Sequence, residues 1–256
     1  VKLDPDRYCA YIEAHIEQGP HLDTQEKQLG VVTAIVGIRT FRLTFRGQQN
    51  HAGTTPMTYR KDAGVALMEL AHVINREFPS LAGPRTVWTV GYVRFEPGSP
   101  SVVPGRAEML LQFRDTDDGI LEALESKTAR IVQETHKQGP VEVDLEALPP
   151  RCEPAAMDGT VQECLAAAAE RNAPGKWIRM PSGAGHDAQI LARELPTGML
   201  FMASDNNQIL TAIAKTVNND GNGLVNPSEY LSPIAQPISN RPAMVRINHA
   251  IFFLLS

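Results

Sequence analysis

The sequence predicts an α/β fold that contains a ferredoxin-like two-layer unit. Three observations carry this. Residues 38–147 run strand, helix, strand, strand, helix, strand, which is the split βαβ order. The two helical stretches carry apolar residues at helical spacing, while the stretches between them alternate or are rich in Val, Ile, Thr and Phe. Gly19-Pro20, Gly139-Pro140 and Pro149-Pro150 punctuate the chain where elements should stop.

Taken in order, residues 4–18 read as a helix. Asp4 caps it, Pro5 suits its first turn, and Tyr8, Ile12 and Ile16 share one face. Residues 30–46 read as strands punctuated by Gly30 and Gly37. Asp62 to Phe78 is an amphipathic helix with Val65, Leu67, Met68, Leu70, Ala71 and Ile74 as its apolar set. Thr86–Phe95 is a strand, Pro97–Pro100 a turn, and Ala107–Phe113 a strand running into Arg114-Asp115. Asp118–Lys137 is a helix with Ile120, Leu121, Leu124, Thr128, Ile131 and Val132 inward, and Val141–Leu145 is a strand. Pro149-Pro150 reads as a boundary. A helix follows from Asp158 to Asn172, then a loop Pro181–Asp187, a short helix Ala188–Glu194 and a buried strand Met199–Met202. Residues 205–240 are rich in Asn, Ser and Pro, with little periodicity, and Ala250–Ser256 has no cap or turn to place it.

Length and composition bound the function. A chain of 256 residues buries a real core in one or two domains. A net charge of -5 gives no global electrostatic reason for nucleic acid or a membrane surface as partner. No apolar run approaches the roughly 20 residues of a membrane span. Cys9, Cys152 and Cys164 form neither a disulfide framework nor a C-x-x-C pair, which points to a reducing compartment and a cytoplasmic location. Cys9 and Cys164 read as packed helix side chains. The opening Val-Lys-Leu-Asp-Pro reads as the middle of a longer protein.

Four polar clusters are candidate site residues, each with two open readings. His15, in the last turn of the first predicted helix, is a divalent-metal ligand or a structural histidine, with Glu17 read as a solvated carboxylate. His51, among small residues in Gly47–Met57, donates to an oxygen gaining charge in a transition state or stabilises its own turn. Arg114 binds a carboxylate in bidentate fashion or pairs with Asp115. Ser182–Asp187 places small residues and His186 before a helix, where backbone amides attract an anion, or Asp187 simply caps that helix. No Ser-His-Asp or Cys-His set stands out.

Five motifs then fall in order: His15-Ile-Glu-Gln-Gly-Pro20, Asn50-His-Ala-Gly-Thr-Thr-Pro-Met57 with Arg60-Lys-Asp62, Val102-Val-Pro-Gly105, Phe113-Arg-Asp115 and Ser182-Gly-Ala-Gly-His-Asp-Ala188. Over roughly residues 1–204 the chain resembles the hydantoinase/carbamoylase branch of the metal-dependent zinc-peptidase-like amidohydrolases. That branch includes N-carbamoyl-L-amino-acid hydrolases, allantoate amidohydrolases and ureidopropionases. The resemblance implies a metallo-aminopeptidase-like catalytic domain in residues 1–37 and 149–204. It also implies a ferredoxin-like lid or dimerisation domain in residues 38–148, and leaves 205–256 as an atypical tail. The implied cofactor is a pair of divalent metals, Zn or Mn. The implied partners are a small anionic ureido or carbamoyl substrate and a second copy of the chain, with no nucleic acid and no membrane.

By resemblance His15 is a metal ligand and Gln18 lies near the substrate. His51 polarises the scissile carbonyl from the partner subunit, Arg114 holds the substrate carboxylate, and Gly185 and His186 bind substrate. Ser101 stands where many members have a substrate-contacting Asn. The family's His-x-Asp pair, bridging Asp and Glu-Glu pair would lie upstream of the His15 motif. Its last His ligand would follow the Met-Leu-Phe strand, but here Ser204 is followed by Asp205-Asn206-Asn207-Gln208, with no His until His249. The expectation is therefore a fragment that is inactive as it stands. An aminoacylase or dipeptidase of the same clan, and a non-catalytic dimerising protein built on the lid, are the rival readings.

Overall fold

The structure, a computed structural model, describes residues 7–203, 243–247 and 250–254. They divide into an inner unit, Val36–Pro154, and a flanking unit made of the described residues on either side of it. Along the chain run β1 (Ala10–Ile16), α1 (His21–Thr24), β2 (Leu29–Ile35), β3 (Gly37–Arg46), β4 (Asn50–His51), α2 (Ala63–Glu77), β5 (Val87–Glu96), β6 (Val102–Val103) and β7 (Arg106–Asp115). Then come α3 (Asp118–Gln138), β8 (Glu142–Cys152), β9 (Ala155–Ala156), α4 (Gly159–Asn172), β10 (Trp177–Ser182), α5 (Asp187–Leu191), β11 (Thr197–Met202), β12 (Ala243–Ile247) and β13 (Ala250–Leu254).

The flanking unit is a mixed seven-stranded sheet in the order β10-β2-β11-β1-β12-β13, with β9 added to β2. Here the sequence reading of residues 4–18 is corrected: residues 10–16 are a strand. β1 pairs in parallel with both β11 and β12, so it is central. A central parallel strand is covered on both faces and needs no polar alternation. Ala10, Tyr11 and Ile12 are all buried, and this continuous apolar run supplied Ile12 and Ile16 at helical spacing. Ala10 and Ile12 pack on α4 through Val161, Leu165 and Ala169, while Tyr11 joins Leu22, Met180 and Ala188 on the other face. The end of the chain, left unassigned from sequence, contains β12 and β13, which pair antiparallel; His249 lies outside the described residues.

The inner unit is an antiparallel sheet in the order β5-β7-β3-β8, with both long helices on one face. Numbered within the unit this is strand order 2-3-1-4, the arrangement of two interlocked βαβ halves. Phe41, Leu43 and Phe45 of β3 and Ala107, Met109, Leu111 and Phe113 of β7 face the helices with period 2. α2 answers with Ala63, Leu67, Leu70 and Ile74, and α3 with Leu121, Leu124, Ile131 and Val132. Val65 and Met68, expected inside, fall off this stripe and are 40% and 56% exposed. Asp62 and Asp117 cap the two helices, each accepting from two backbone N–H groups.

The strand expected at 141–145 continues through Pro149-Pro150 to Cys152. β8 is an edge strand, where a residue without an N–H is tolerated. Arg39 closes the base of the unit. Its guanidinium is 2% exposed, donates to the Cys152 carbonyl at 2.6 Å and pairs with Asp118 and Glu153. Its Nε lies 3.5 Å from Glu125, close enough for attraction but not aligned as a hydrogen bond.

Candidate functional site

The flanking unit gathers one set of the sequence-predicted residues. β1 delivers His15 beside Phe201 of β11 in parallel register. His15 Nδ1 lies 2.7 Å from the Ile16 carbonyl oxygen. A carbonyl only accepts, so the proton is on Nδ1 and the lone pair is on Nε2, the arrangement a histidine needs if it is to ligate a metal. The His186 ring packs edge-on against His15, with centroids 4.9 Å apart, and also against Phe201 at 5.8 Å. Gln18, at the exit of β1, adopts φ 56°, a left-handed backbone uncommon for a side-chain-bearing residue. Gly185 sits in the loop between β10 and α5.

The same neighbourhood holds groups the sequence reading missed. Ser182 Oγ, 1% exposed, lies 3.0 Å from the Ala184 carbonyl and 2.9 Å from His186 Nε2. The hydroxyl donates to the carbonyl and accepts from the ring, so this Ser-His contact pins the loop rather than arming a nucleophile. Glu17, read as a solvated carboxylate, is instead buried and accepts from the backbone N–H of His21 and Leu22. Glu13, 4% exposed, accepts from the Ala188 N–H at 2.8 Å. The available signal was period 2: Glu13, His15 and Glu17 alternate along a strand, a pattern hidden once the segment was read as a helix. For Cys164, burial and then the charges of Asp158 and Glu163 push the thiol up, which fits an inert packed side chain.

The inner unit gathers another set. His51 pairs with Val102 between β4 and β6, and the Ala52 N–H reaches the Ser101 carbonyl at 2.9 Å. His51 Nδ1 accepts from the N–H groups of Gly53 at 3.0 Å and Thr54 at 3.2 Å. The ring therefore stabilises its own turn, one of the two readings, and doing so places its proton on the exposed Nε2. Arg114 lies at the far end of β7, its Nε and Nη2 both on Gln112 Oε1, which is anchored through Nε2 to Thr40. Asp115 points inward, 5% exposed, accepting from Thr86 and the Asp117 N–H. Among the described residues no group of three or more His, Cys, Asp or Glu is placed to hold a metal ion. His15 fits one ligand position; the described residues do not make a complete site.

A profile of peptidase family M20/M25/M40 matches residues 1–219. The chain belongs to this family. Within the M20 family it falls in the hydantoinase/carbamoylase amidase branch. It is 35% identical over 199 residues to the N-carbamoyl-L-amino-acid amidohydrolase of Paenarthrobacter aurescens, covering 76% of this chain and 47% of that protein. It is 35% identical over 197 residues to the allantoate amidohydrolase of Escherichia coli strain K12, covering 77% and 47%. Its fold is similar to the crystal structure of a hydantoinase/carbamoylase family amidase from Burkholderia phymatum, with TM-score 0.75, 50% identity, and 78% and 50% of the two chains covered. The chain thus spans about half the length of the M20 relatives it matches. Among the described residues no helix is long and apolar enough to cross a membrane.

Proposed function

We propose that this chain is part of a metal-dependent hydrolase of linear C–N bonds in small ureido or carbamoyl acids: N-carbamoyl amino acids, allantoate or the chemically similar ureidopropionate. The observation that carries the reading is the pair of histidine tautomers. His15 presents a lone pair and His51 presents an N–H, each fixed by backbone contacts of the ring's other nitrogen. A bound divalent metal, Zn or Mn, would supply an activated water, with His15 as one ligand. Water adds to the carbonyl carbon, the C–N bond breaks, and the leaving nitrogen takes a proton. The His51 Nε2–H stabilises the oxygen that gains charge, a contribution of about 10²–10³ in kcat for one such donor. Arg114 holds the carboxylate, its guanidinium held by two hydrogen bonds to Gln112 Oε1. Ser101 borders the His51 turn, and Gln18, Gly185 and His186 line the substrate side of His15.

The length of the inner unit supports a reading with two copies. His51 pairs with Val102 of β6, the strand just before Arg106 in the chain, and Arg114 is eight positions from Arg106 along β7, about 27 Å at ~3.4 Å per residue. A carbamoyl amino acid is about two residues long, or about 7 Å. We infer that His51 serves the site of a partner subunit; the length of β7 between its Arg106 end and Arg114, set against the size of the substrate, supports this reading.

The test is hydrolysis of N-carbamoyl-L-amino acids and allantoate after dialysis against Mn²⁺ or Zn²⁺, with metal content by elemental analysis. A polypeptide that supplies the rest of the ligand set is expected to bind about two metals and turn over one of these substrates. The 256-residue chain alone is expected to hold fewer and turn over neither. Full-rate metal-dependent turnover by the chain alone would overturn the ligand assignment. Cleavage of dipeptides or acyl amino acids instead would favour the aminoacylase reading.

A further inference from the structure

We propose that Glu13 and Glu17 are positioning residues: Glu13 holds His186 against His15, and Glu17 holds the turn that carries Gln18 at the end of the same strand. This rests on the reading of His15, Gln18 and His186 as site residues. The argument starts from two short helices whose N-terminal N–H groups need partners. The residue before α1 is Pro20 and the residue before α5 is His186, and neither side chain caps its helix. β1 supplies what is missing. Glu17 Oε1 and Oε2 accept from His21 and Leu22 at 2.9 and 2.8 Å, and Glu13 Oε2 accepts from Ala188 at 2.8 Å and lies 3.4 Å from the Tyr11 hydroxyl. Both carboxylates are buried, and among the described residues neither has an ion pair. Their compensation is the helix starts themselves, where partial positive charge favours a carboxylate.

The consequence is local and directional. With the α5 N–H satisfied from β1, the His186 ring is released from capping and turns onto His15, its Nε2 anchored by Ser182. At the end of β1 the Glu17 carboxylate accepts across the turn in which Gln18 has φ 56°. A Cβ on Gly19 would lie 2.8 Å from Glu17 Oε1, so the turn and the carboxylate fit each other closely. Glu13 and His15 are two apart on β1 and share one face, and Glu17 follows directly after the strand's last residue, so the strand that carries the histidine also sets the position of both carboxylates.

The experiment is NMR on the whole 256-residue chain with labelled histidine, reading the proximity cross-peak between the His15 and His186 rings at one fixed pH. E13A is expected to abolish the cross-peak. E13Q keeps one acceptor oxygen for Ala188 and is expected to restore it. E17A is expected to leave the cross-peak and move the Gln18 amide. E17Q, which keeps one acceptor for two N–H groups, is expected to restore the Gln18 signal only in part. A folded E13A chain with an intact cross-peak would overturn the assignment, and so would an E13Q chain as damaged as E13A. If E13A does not fold, exchange of the Ala188 amide in the unaltered chain decides: slow exchange supports the bond to Glu13, exchange at the rate of an unprotected amide refutes it. No readout involves metal or turnover, so a failed hydrolysis assay leaves this result standing and a failed NMR result leaves the reaction class standing.

Discussion

At the scale of single residues, Arg39 is the strongest electrostatic commitment in the inner unit. It is fully buried while its partners Asp118 and Glu153 are 55% and 44% exposed. Breaking a fully buried pair costs about 3–5 kcal/mol. Half-exposed carboxylates regain water once alone, so Arg39→Ala is expected to cost less, about 2 kcal/mol by denaturant unfolding. Burial pushes the Glu153 carboxyl up, but hydrogen bonds from Arg39 and Arg151 outweigh it and hold the group below the usual carboxylate range. A carboxylate lowered on folding adds stability above its unfolded value and loses it as pH falls through the folded one. The deficit of Arg39→Ala is therefore expected to be full at about pH 7 and to shrink below about pH 4, where carboxylates begin to protonate. An equal deficit at about pH 7 and about pH 3 would show that Arg39 acts through packing alone. The single residues legible in the sequence were those on loops next to small neighbours, His51 above all. Glu13 was illegible because a buried carboxylate makes sense only once the N–H it accepts from is placed beside it, 175 positions along the chain.

At the scale of elements, close approach decides more than propensity. α4 packs on β11 at Gly198, where a Cβ would meet Val161 Cγ1 at 2.4 Å and Leu165 Cδ1 at 3.0 Å, both on the buried face of the helix. Overpacking a filled core costs about 1–3 kcal/mol. Gly198→Ala is expected to lower the thermal midpoint by a matching amount, and Val161→Ala in the same chain to recover part of it by making room. If the double variant is worse than the sum of the singles, the helix does not rest on that glycine. The same physics explains which elements were readable. The inner unit is two-layered, so its strands and helices each have one wet face and declare their period; α2, α3, β3, β5 and β7 were all recognised. The flanking sheet has strands covered on both faces, so β1 lost its alternation and passed for a helix. β10 was missed because it ends inside a loop-like Pro-Ser-Gly run, where its pairing with β2 shifts register between Met180 and Ser182.

At the scale of the whole molecule, the two edges of the inner sheet differ in kind. β8 carries Glu142, Asp144 and Glu146, with Arg46 on Asp144 and Arg42 on Glu146, a charged edge that resists further pairing. β5 carries Val87, Tyr92, Val93 and Phe95, 36–52% exposed. α2 begins against it, a Cβ at Gly64 falling 3.4 Å from Phe95, and exposes Val65 and Met68 within the next turn. β5 is the free edge of this sheet, where a second copy could continue the pairing, and exposed apolar side chains stand on it and on the first turns of α2. The proposed sharing of a site uses that same copy, since Arg114 is near the end of β7 and His51 is on β4, paired to the β6 strand that precedes β7. The chain is therefore expected to run in sedimentation or light scattering at twice its 28.0 kDa. Val93→Lys places a charge in the middle of the strip and is expected to yield monomer, while Glu146→Lys on the opposite edge leaves the dimer intact. A dimer that survives Val93→Lys and dissociates with Glu146→Lys would move the interface to β8. A chain that is monomeric at every concentration would remove the partner that must bring His51 to the substrate, and with it the assignment of His51 and Arg114 to one reaction.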